Sequence, residues 1–353
     1  MDYASYAKEK AASIIKSGNA TVLAIETSCD ETAAAVVKNG RTVISNIIHS
    51  QIPIHQKYGG VVPELASRSH TERIRPVTDE ALSKAGLTLK NIDAVAVTFG
   101  PGLVGALLTG VSYAKGLALA GKLPLVGINH IHGHIAANYL SCAGLEPPFV
   151  CLVVSGGHSH IVLVRDYLDL ELLGKTRDDA AGEAFDKVAR VLGLGYPGGP
   201  KLESLALSGD PHAFDFHSPF NSGDHPDFSF SGPKTAVINL LHKAKQKGET
   251  VNFADIAASF QLSVVKVLCA KTVRAAKLSK VSLVALAGGV SANKLLRSTM
   301  LEMSESEGMK FCCPEFEYCT DNAAMIGSAG FYALMSGRLH GLELNADANP
   351  GLK

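Results

Sequence analysis

"TVLAIETSCDETAAAVVKNGRTVISNIIHS", residues 21–50, decides how the rest of the chain is read. Its apolar and β-branched residues fall into three short runs, parted by "TSCDET" and "KNGR", whose polar and Gly residues suit tight turns. Three successive strands are expected. A helical stretch around 62–86 follows, then a strand ("IDAVAVTFG"), a Gly-punctuated helix over about 103–120, a short strand near "PLVGI" and a helix starting at "NHIHGH". The order then restarts. "PFVCLVVSGGHSHIVLVRDYLDLELLGKT", residues 148–176, again reads as three strands. A helix over about 181–193, an irregular Gly/Pro/His-rich section over 194–233, a long helix over 253–278, the strand "VSLVALAGG" and a helix from about 291 complete the second pass.

Two passes through one element order predict a duplicated α/β fold. Its parts are a helical extension over 1–20, an N-terminal lobe over 21–140 and a C-terminal lobe over 141–353 with an insertion at about 194–250. A cleft between two such lobes is a natural nucleotide site. Length agrees, since 353 residues suit two domains of ordinary size. Lys+Arg and Asp+Glu balance at 33 each, so any nucleic-acid contact must use a local patch and not a basic protein as a whole. Such a patch is available: residues 243–280 carry Lys243, Lys245, Lys247, Lys266, Lys271, Arg274, Lys277 and Lys280 against Glu249 and Asp255. Arg68, Arg73 and Arg75 form a smaller cluster. Either set also reads as an ordinary solvated helix face.

The seven cysteines show no C-x-x-C pair and several sit in apolar stretches, so reduced thiols of a cytosolic protein are expected. No apolar run reaches the length of a bilayer span on this reading. Residues 1–20 lack a signal-peptide apolar core and contain Asp2 and Glu9 but no Arg, unlike a presequence.

Four turns carry chemistry. "IETSCDET" offers hydroxyls for phosphate and the acids Asp30 and Glu31 for a metal or a proton, or it is a polar hairpin turn. In "VVSGGHSH", Gly156 and Gly157 let backbone amides approach an anion. "LAGGVSANKLLR" passes from a buried strand through two glycines to Ser291, read as a helix N-cap, with Asn293 within reach of a base or ribose. In "TFGPGLVGALLTG" the glycines read as close helix–sheet packing. The "NHIHGHIAAN" stretch places His130 and His134 one turn apart on one helix face, with His132 on another. That is the spacing of the zinc-peptidase H-E-x-x-H helix, but Ile131 stands where its glutamate base would be. A third ligand is needed. Asp321, in "YCTDNAAMIG", is either that ligand or a helix N-cap. Two histidines and one carboxylate leave coordination positions open, which suits iron or catalytic zinc. Glu183, Asp186, Lys187 and Arg190 recur at helical spacing, by default as a solvated face, and "YPGGP" is a rigid turn.

"IETSCDETAAAVV", "YGGVVPELASRSH", "GPGLVGALLTG", "NHIHGH", "VSGGHS", "DDAAGEAFDKVARVLGLGYPGGP", "FSFSGPKTAV", "GGVSANKLLR" and "CTDNAAMIG" occur in this order between Thr21 and Gly337. Together they resemble the TsaD family of tRNA threonylcarbamoyltransferases, bacterial type, which has also carried an O-sialoglycoprotein endopeptidase label. The resemblance implies an actin/sugar-kinase/Hsp70-like fold of two lobes around a nucleotide cleft. It implies transfer of a threonylcarbamoyl group from threonylcarbamoyl-adenylate to the exocyclic amine of the adenosine 3′ of the anticodon, in tRNAs reading A-starting codons. It also implies metal ligands at His130, His134 and Asp321, and adenylate binding by Val153, Val154, Ser155, Gly156, Gly157, Asp186, Gly199, Glu203 and Asn293. Asp30 and Glu31 match acids important for activity. TsaB-like and TsaE-like partners or a homodimer, and a cytoplasmic location without membrane attachment, are expected. Pro233 replaces the leucine of the family's "FSFSGLKTA", and the extension before the first strand is longer than usual. A metal-dependent endopeptidase, a sugar-kinase-like phosphotransferase and a non-catalytic scaffold are the competing readings.

Overall fold

In the computed structural model, which describes residues 2–352, the opening stretch forms three strands. They are Thr21–Glu26 (β1), Glu31–Lys38 (β2) and Thr42–Ser50 (β3). β2 runs antiparallel to both neighbours, and β1 pairs parallel with Ala94–Gly100 (β4), which pairs parallel with Leu125–Asn129 (β5). The sheet order is β3-β2-β1-β4-β5. Side chains alternate across it. Leu23, Ile25, Val36, Val95 and Val97 face one way and pack with Ile74, Val111, Ala114 and Ala118. These last belong to helices Pro63–Lys84 and Val104–Gly121. On the other face, Gly330 of helix Ala323–Met335 comes so close that a Cβ would meet Ala96 at 2.6 Å. Small residues on both sides let that helix sit directly on the strands.

The helices in chain order are α1 (Tyr3–Ser17), α2 (Ile52–His55), α3 (Pro63–Lys84), α4 (Val104–Gly121), α5 (His130–Ser141), α6 (Ala181–Val191), α7 (Gly198–Ala206), α8 (Ser231–Lys247), α9 (Phe253–Leu278), α10 (Lys294–Ser306) and α11 (Ala323–Met335). The second sheet contains Phe149–Val154 (β6), Ser159–Asp166 (β7), Asp169–Lys175 (β8), Leu283–Ala287 (β9) and Lys310–Cys312 (β10), in the order β10-β9-β6-β7-β8. β6 is antiparallel to β7 and parallel to β9, as β1 is to β2 and β4. The second core joins Leu152, Val154 and Leu286 to Phe185, Phe260, Val264 and Leu268. One strand plan is used twice.

The chain divides into Met1–Pro147, Asp166–Leu170 and Pro314–Lys353 as one compact unit, and Pro148–Arg165 with Glu171–Cys313 as the other. This differs from a second lobe running unbroken from 141 to 353, because the apolar α11 completes the first core. Part of the section expected to be irregular is helical. α7 begins at "GGP", poor helix-forming residues, yet it forms because Leu202 and Ala206, one turn apart, are buried. Pro233 sits in the first turn of α8, where an absent N–H breaks no helical bond.

Five cysteines are free thiols, but Cys142 and Cys312 are disulfide-bonded, against the expectation that all seven are reduced. α4 and α9 are long and apolar enough to cross a bilayer by length and composition, also against the sequence reading. Most of the apolar window of α9, 61%, is buried inside the protein.

Candidate functional site

Asn129 ends β5 and caps α5: its side-chain oxygen accepts the Ile131 N–H at 2.9 Å. The cap starts the helix at His130, and the four-residue spacing within it puts His130 and His134 on one face. Their rings lie 4.5 Å apart between centroids, edge to face. Asp321 comes from the loop before α11. It is not the N-cap of that helix, because Asn322 accepts the Met325 N–H and does that work. The carboxylate is left to face the histidines, with Oδ1 at 3.4 Å from His130 Nε2 and 3.3 Å from His134 Nε2. One ligand atom from each of the three falls within 4.8 Å of the others. His132 points elsewhere, with Nε2 3.2 Å from the Leu352 carbonyl.

The donor set fits a divalent ion. His134 is fully buried, yet neither ring nitrogen makes a well-aligned hydrogen bond among the described residues: Nδ1 has no partner, and Nε2 has only the 3.3 Å contact with Asp321 Oδ1. Burial of a polar atom without a partner is costly, and a cation at this point would relieve it. Burial and the neighbouring His130 push the His134 pKa down, favouring the neutral ring that ligation requires. Burial works against protonated His130, but Asp321 and Glu26 outweigh it and raise its pKa. Asp321 is held well below the usual carboxylate range, its burial outweighed by the two histidines.

Glu26, the last residue of β1, is fully buried behind His130, with Oε2 3.1 Å from His130 Nδ1. Burial would raise its pKa, but His130 reverses the direction. The sequence reading missed this residue. A signal was present, since Glu26 is an acid closing the apolar run "VLAI".

Asp30 and Glu31 lie at the turn into β2, on the same unit as the cluster. Burial and the adjacent Asp30 charge push the Glu31 pKa up to about 9, and Ser50 donates to Glu31 Oε1 at 2.9 Å. The turn is braced by His70 of α3, whose Nε2 lies 2.9 Å from the Cys29 carbonyl and Nδ1 2.8 Å from Thr32 Oγ1. Gly110 braces it from α4, where a Cβ would stand 2.3 Å from Thr27 Oγ1. The glycines of "GPGLVGALLTG" thus permit close packing, as expected.

The remaining candidates lie on the second unit. Val153 and Val154 end β6, and Ser155 turns the chain, its N–H donating to the His158 carbonyl at 2.8 Å. Gly156 and Gly157 are exposed, and a Cβ on either would meet nothing within 4 Å. Packing therefore does not demand glycine there. Asp186 is not on a solvated face: its Oδ1 accepts the N–H groups of Gly198 at 2.8 Å and Gly199 at 3.2 Å. Glu203 Oε1 accepts the Lys294 N–H at 2.7 Å. Asn293, not Ser291, caps α10, with Oδ1 on the Leu296 N–H and Nδ2 on Gln261 Oε1. Ser291 Oγ is buried without a hydrogen-bond partner among the described residues. Gly288 precedes this junction at φ 85°, where a Cβ would lie 2.4 Å from the Val154 carbonyl.

The basic stretch is less basic than its sequence. Lys271 is buried, donating to the His225 and Asp227 carbonyls at 2.8 and 2.7 Å. Lys247, Arg274 and Lys277 pair with Glu249, Asp224 and Glu307. Lys243, Lys245, Lys266 and Lys280 remain as exposed cations on α8, α9 and the residues just after α9. On α3, Arg68 and Arg75 pair with Glu64 and Asp79.

Two α/β units built on one repeated strand plan define an actin/sugar-kinase/Hsp70-like protein, here with a His/His/Asp cluster on its first unit. Solved structures agree on the fold. Component A of (R)-2-hydroxyglutaryl-CoA dehydratase from Acidaminococcus fermentans matches with a TM-score of 0.55 at 14% identity, over 89% of this chain and 99% of that one. Full-length HypF, in a phosphate- and nucleotide-bound form, matches with 0.59 at 15% identity, over 89% of this chain and 46% of that one. A family model described as "TsaD: tRNA N6-adenosine threonylcarbamoyltransferase" covers residues 42–328, and the chain belongs to this family. Proteins named tRNA N6-adenosine threonylcarbamoyltransferase from Clostridium perfringens (strain SM101 / Type A) and Clostridium botulinum (strain 657 / Type Ba4) are 57% identical to it over 328 residues. The alignments take in 93% of this chain and 97% and 96% of theirs.

Proposed function

We propose that the chain uses His130, His134 and Asp321 to hold one divalent metal, iron or zinc, in transferring threonylcarbamoyl to tRNA. The donor is threonylcarbamoyl-adenylate, and the acceptor is the exocyclic amine of the adenosine 3′ of the anticodon in tRNAs reading A-starting codons. That the chain is a threonylcarbamoyltransferase acting on tRNA adenosine N6 follows from its family and its 57% identical relatives. The observation that carries the metal reading is the buried His134 ring, whose Nε2 faces Asp321 Oδ1 at 3.3 Å without a well-aligned hydrogen bond, with the His130 ring alongside. Neither a peptidase nor a phosphotransferase is favoured: the relatives are named as transferases, and Ile131 stands where the peptidase base would be.

The acceptor amine is a weak nucleophile, its lone pair delocalised into the adenine ring. AMP is a good leaving group from a mixed carbamic–phosphoric anhydride. Positioning and charge stabilisation therefore outweigh a strong base. In the transfer, the amine nitrogen bonds to the carbamoyl carbon, the bond from that carbon to the phosphate oxygen breaks, AMP leaves with the electron pair, and the amine loses one proton. A divalent ion held by the three ligands supplies Lewis-acid polarisation of the threonylcarbamoyl end.

The chain's residues do the rest. The exposed amides of Gly156 and Gly157, in the turn that Ser155 opens, receive phosphate, and the Gly288–Asn293 junction receives the nucleoside, with Ser291 Oγ as a hydroxyl in want of a partner. Val153, Val154, Asp186, Gly199 and Glu203 shape that site, the acids by fixing the "YPGGP" turn and the start of α10. Asp30 takes the amine proton, while Glu31, its pKa pushed up to about 9, stays neutral and can donate. Lys243, Lys245, Lys266 and Lys280 are the cations offered to the tRNA backbone. TsaB-like and TsaE-like proteins, or a second copy of the chain, are the proposed partners, and the cytoplasm is the proposed location, where the tRNA is.

The test is reconstitution. Purified chain is incubated with threonylcarbamoyl-adenylate and unmodified tRNA, with and without TsaB-like and TsaE-like proteins, and the tRNA nucleosides are analysed. Modified adenosine 3′ of the anticodon is expected; its absence under both conditions overturns the reading.

A further inference from the structure

We infer that Glu26 is a positioning residue that fixes the ring of His130 with Nε2 turned toward Asp321 and His134, acting as a hydrogen-bond acceptor and not as packing. The inference rests on the metal reading above and concerns a residue to which that reading gives no role. Glu26 is fully buried, and His130 is its one ion-pair partner among the described residues. Burial of a carboxylate so far from water needs compensation from its neighbours.

The neighbours decide which way the protons point. Glu26 Oε1 accepts the Ser28 backbone N–H at 2.5 Å, a group that can only donate. Oε2 accepts the Thr98 hydroxyl at 2.5 Å. An ionised carboxylate only accepts. His130 Nδ1 lies 3.1 Å from Oε2 and 3.2 Å from Ser28 Oγ; if the Ser28 hydroxyl donated to it, the Nδ1 lone pair would face the carboxylate, so the favoured arrangement puts the hydrogen on Nδ1. In the neutral ring this leaves the lone pair on Nε2, the nitrogen 3.4 Å from Asp321 Oδ1. A ligating histidine whose other nitrogen donates to a carboxylate is held in tautomer and orientation and made more basic. β1 carries Glu26, β4 carries Thr98 and α5 carries His130, so pairing in the first sheet sets the ring.

The test separates a tautomer role from a packing role. Glu26→Gln keeps the shape. With its oxygen on the Ser28 N–H, the new amide aims hydrogens at His130 Nδ1 and favours the proton on Nε2, which blocks ligation. Glu26→Ala removes the acceptor but imposes no tautomer. Zn2+ affinity of the full chain is measured by competition with a chromogenic chelator, and visible absorption of the Co2+-loaded chain reports ligand geometry. Metal-free melting shows that each variant is folded. Glu26→Gln is expected to bind Zn2+ roughly 10–100-fold more weakly than wild type, and at least as weakly as Glu26→Ala, with a changed Co2+ spectrum. Zn2+ affinity retained in Glu26→Gln and lost in Glu26→Ala would assign Glu26 to packing and overturn the inference. If Glu26→Ala does not fold, Thr98→Val takes its place. It keeps the acceptor and should bind Zn2+ near the wild-type level, so a loss equal to that of Glu26→Gln overturns the inference. Wild-type chain that binds neither Zn2+ nor Fe2+ overturns the metal reading itself, a result distinct from any Glu26 effect.

Discussion

The turns β1–β2 and β6–β7 occupy the same place in the repeated strand plan and have opposite characters. In the first, Thr27, Ser28 and Asp30 are buried, the backbone is braced by His70, and Gly110 approaches Thr27 closely. In the second, Gly156 and Gly157 are exposed with open space where side chains would be. Shared topology brings each turn to the end of a central strand, but what packs over the turn sets its chemistry. The closed turn concentrates acids beside the histidines, where charges interact strongly and pKa values move far. The open turn is the one proposed above to offer its backbone amides to an anionic ligand.

The contrast can be broken experimentally. The largest effect is expected at the proposed metal site near the closed turn. His134→Ala or Asp321→Ala should lose bound metal, read by elemental analysis, and threonylcarbamoyl transfer should fall by at least roughly 10²-fold, the scale of one lost electrostatic stabiliser. Full transfer by a metal-free variant would disprove the assignment. Next is Gly110→Ala, whose Cβ would stand 2.3 Å from Thr27 Oγ1. Urea denaturation should show a loss of about 1–3 kcal/mol, as for overpacking; wild-type stability would mean that the turn is not clamped. At the open turn, Gly156→Val should leave stability within about 0.5 kcal/mol, as at an unconstrained surface site. It should raise KM for threonylcarbamoyl-adenylate roughly tenfold, equivalent to about 1.4 kcal/mol, and an unchanged KM would remove this turn from the donor site.

The last prediction is read as a slope against pH and concerns Glu31, whose pKa burial and the adjacent Asp30 charge push up to about 9 from the usual 4.5. Between those values the folded chain keeps a proton that the unfolded chain has released. Stability from this group is therefore full below pH 4.5 and declines as pH rises toward 9. In chelator-treated protein, Glu31→Gln should lessen the fall in Tm over that window. Parallel Tm profiles for the variant and wild type would show that Glu31 is not held neutral.

Element type was legible wherever one period dominated. The three opening strands, the restart at 148 and the long helix at 253–278 follow from apolar pattern and turn residues. α7 escaped because its signal is tertiary: the poor start "GGP" is overridden by burial of Leu202 and Ala206. The return of 314–353 to the first unit was equally invisible, since no local pattern says which sheet α11 will cover. Ser291 was read as the cap that Asn293 provides, because both residues suit the place and only the backbone distinguishes them. The basic stretch overstated itself, as charges 30 to 50 residues distant neutralise Arg274 and Lys277.

By itself, the sequence determined the strand plan, its repetition and the pairing of His130 with His134 on one helix face. These depend on residue periodicity and one-turn spacing, which are local properties. The tertiary structure alone decided that Asp321 meets those histidines from 187 residues beyond His134, that Glu26 stands behind His130, and that one hairpin turn is closed while its counterpart is open. These depend on which surfaces exclude water together, and burial is settled only when the whole chain has packed.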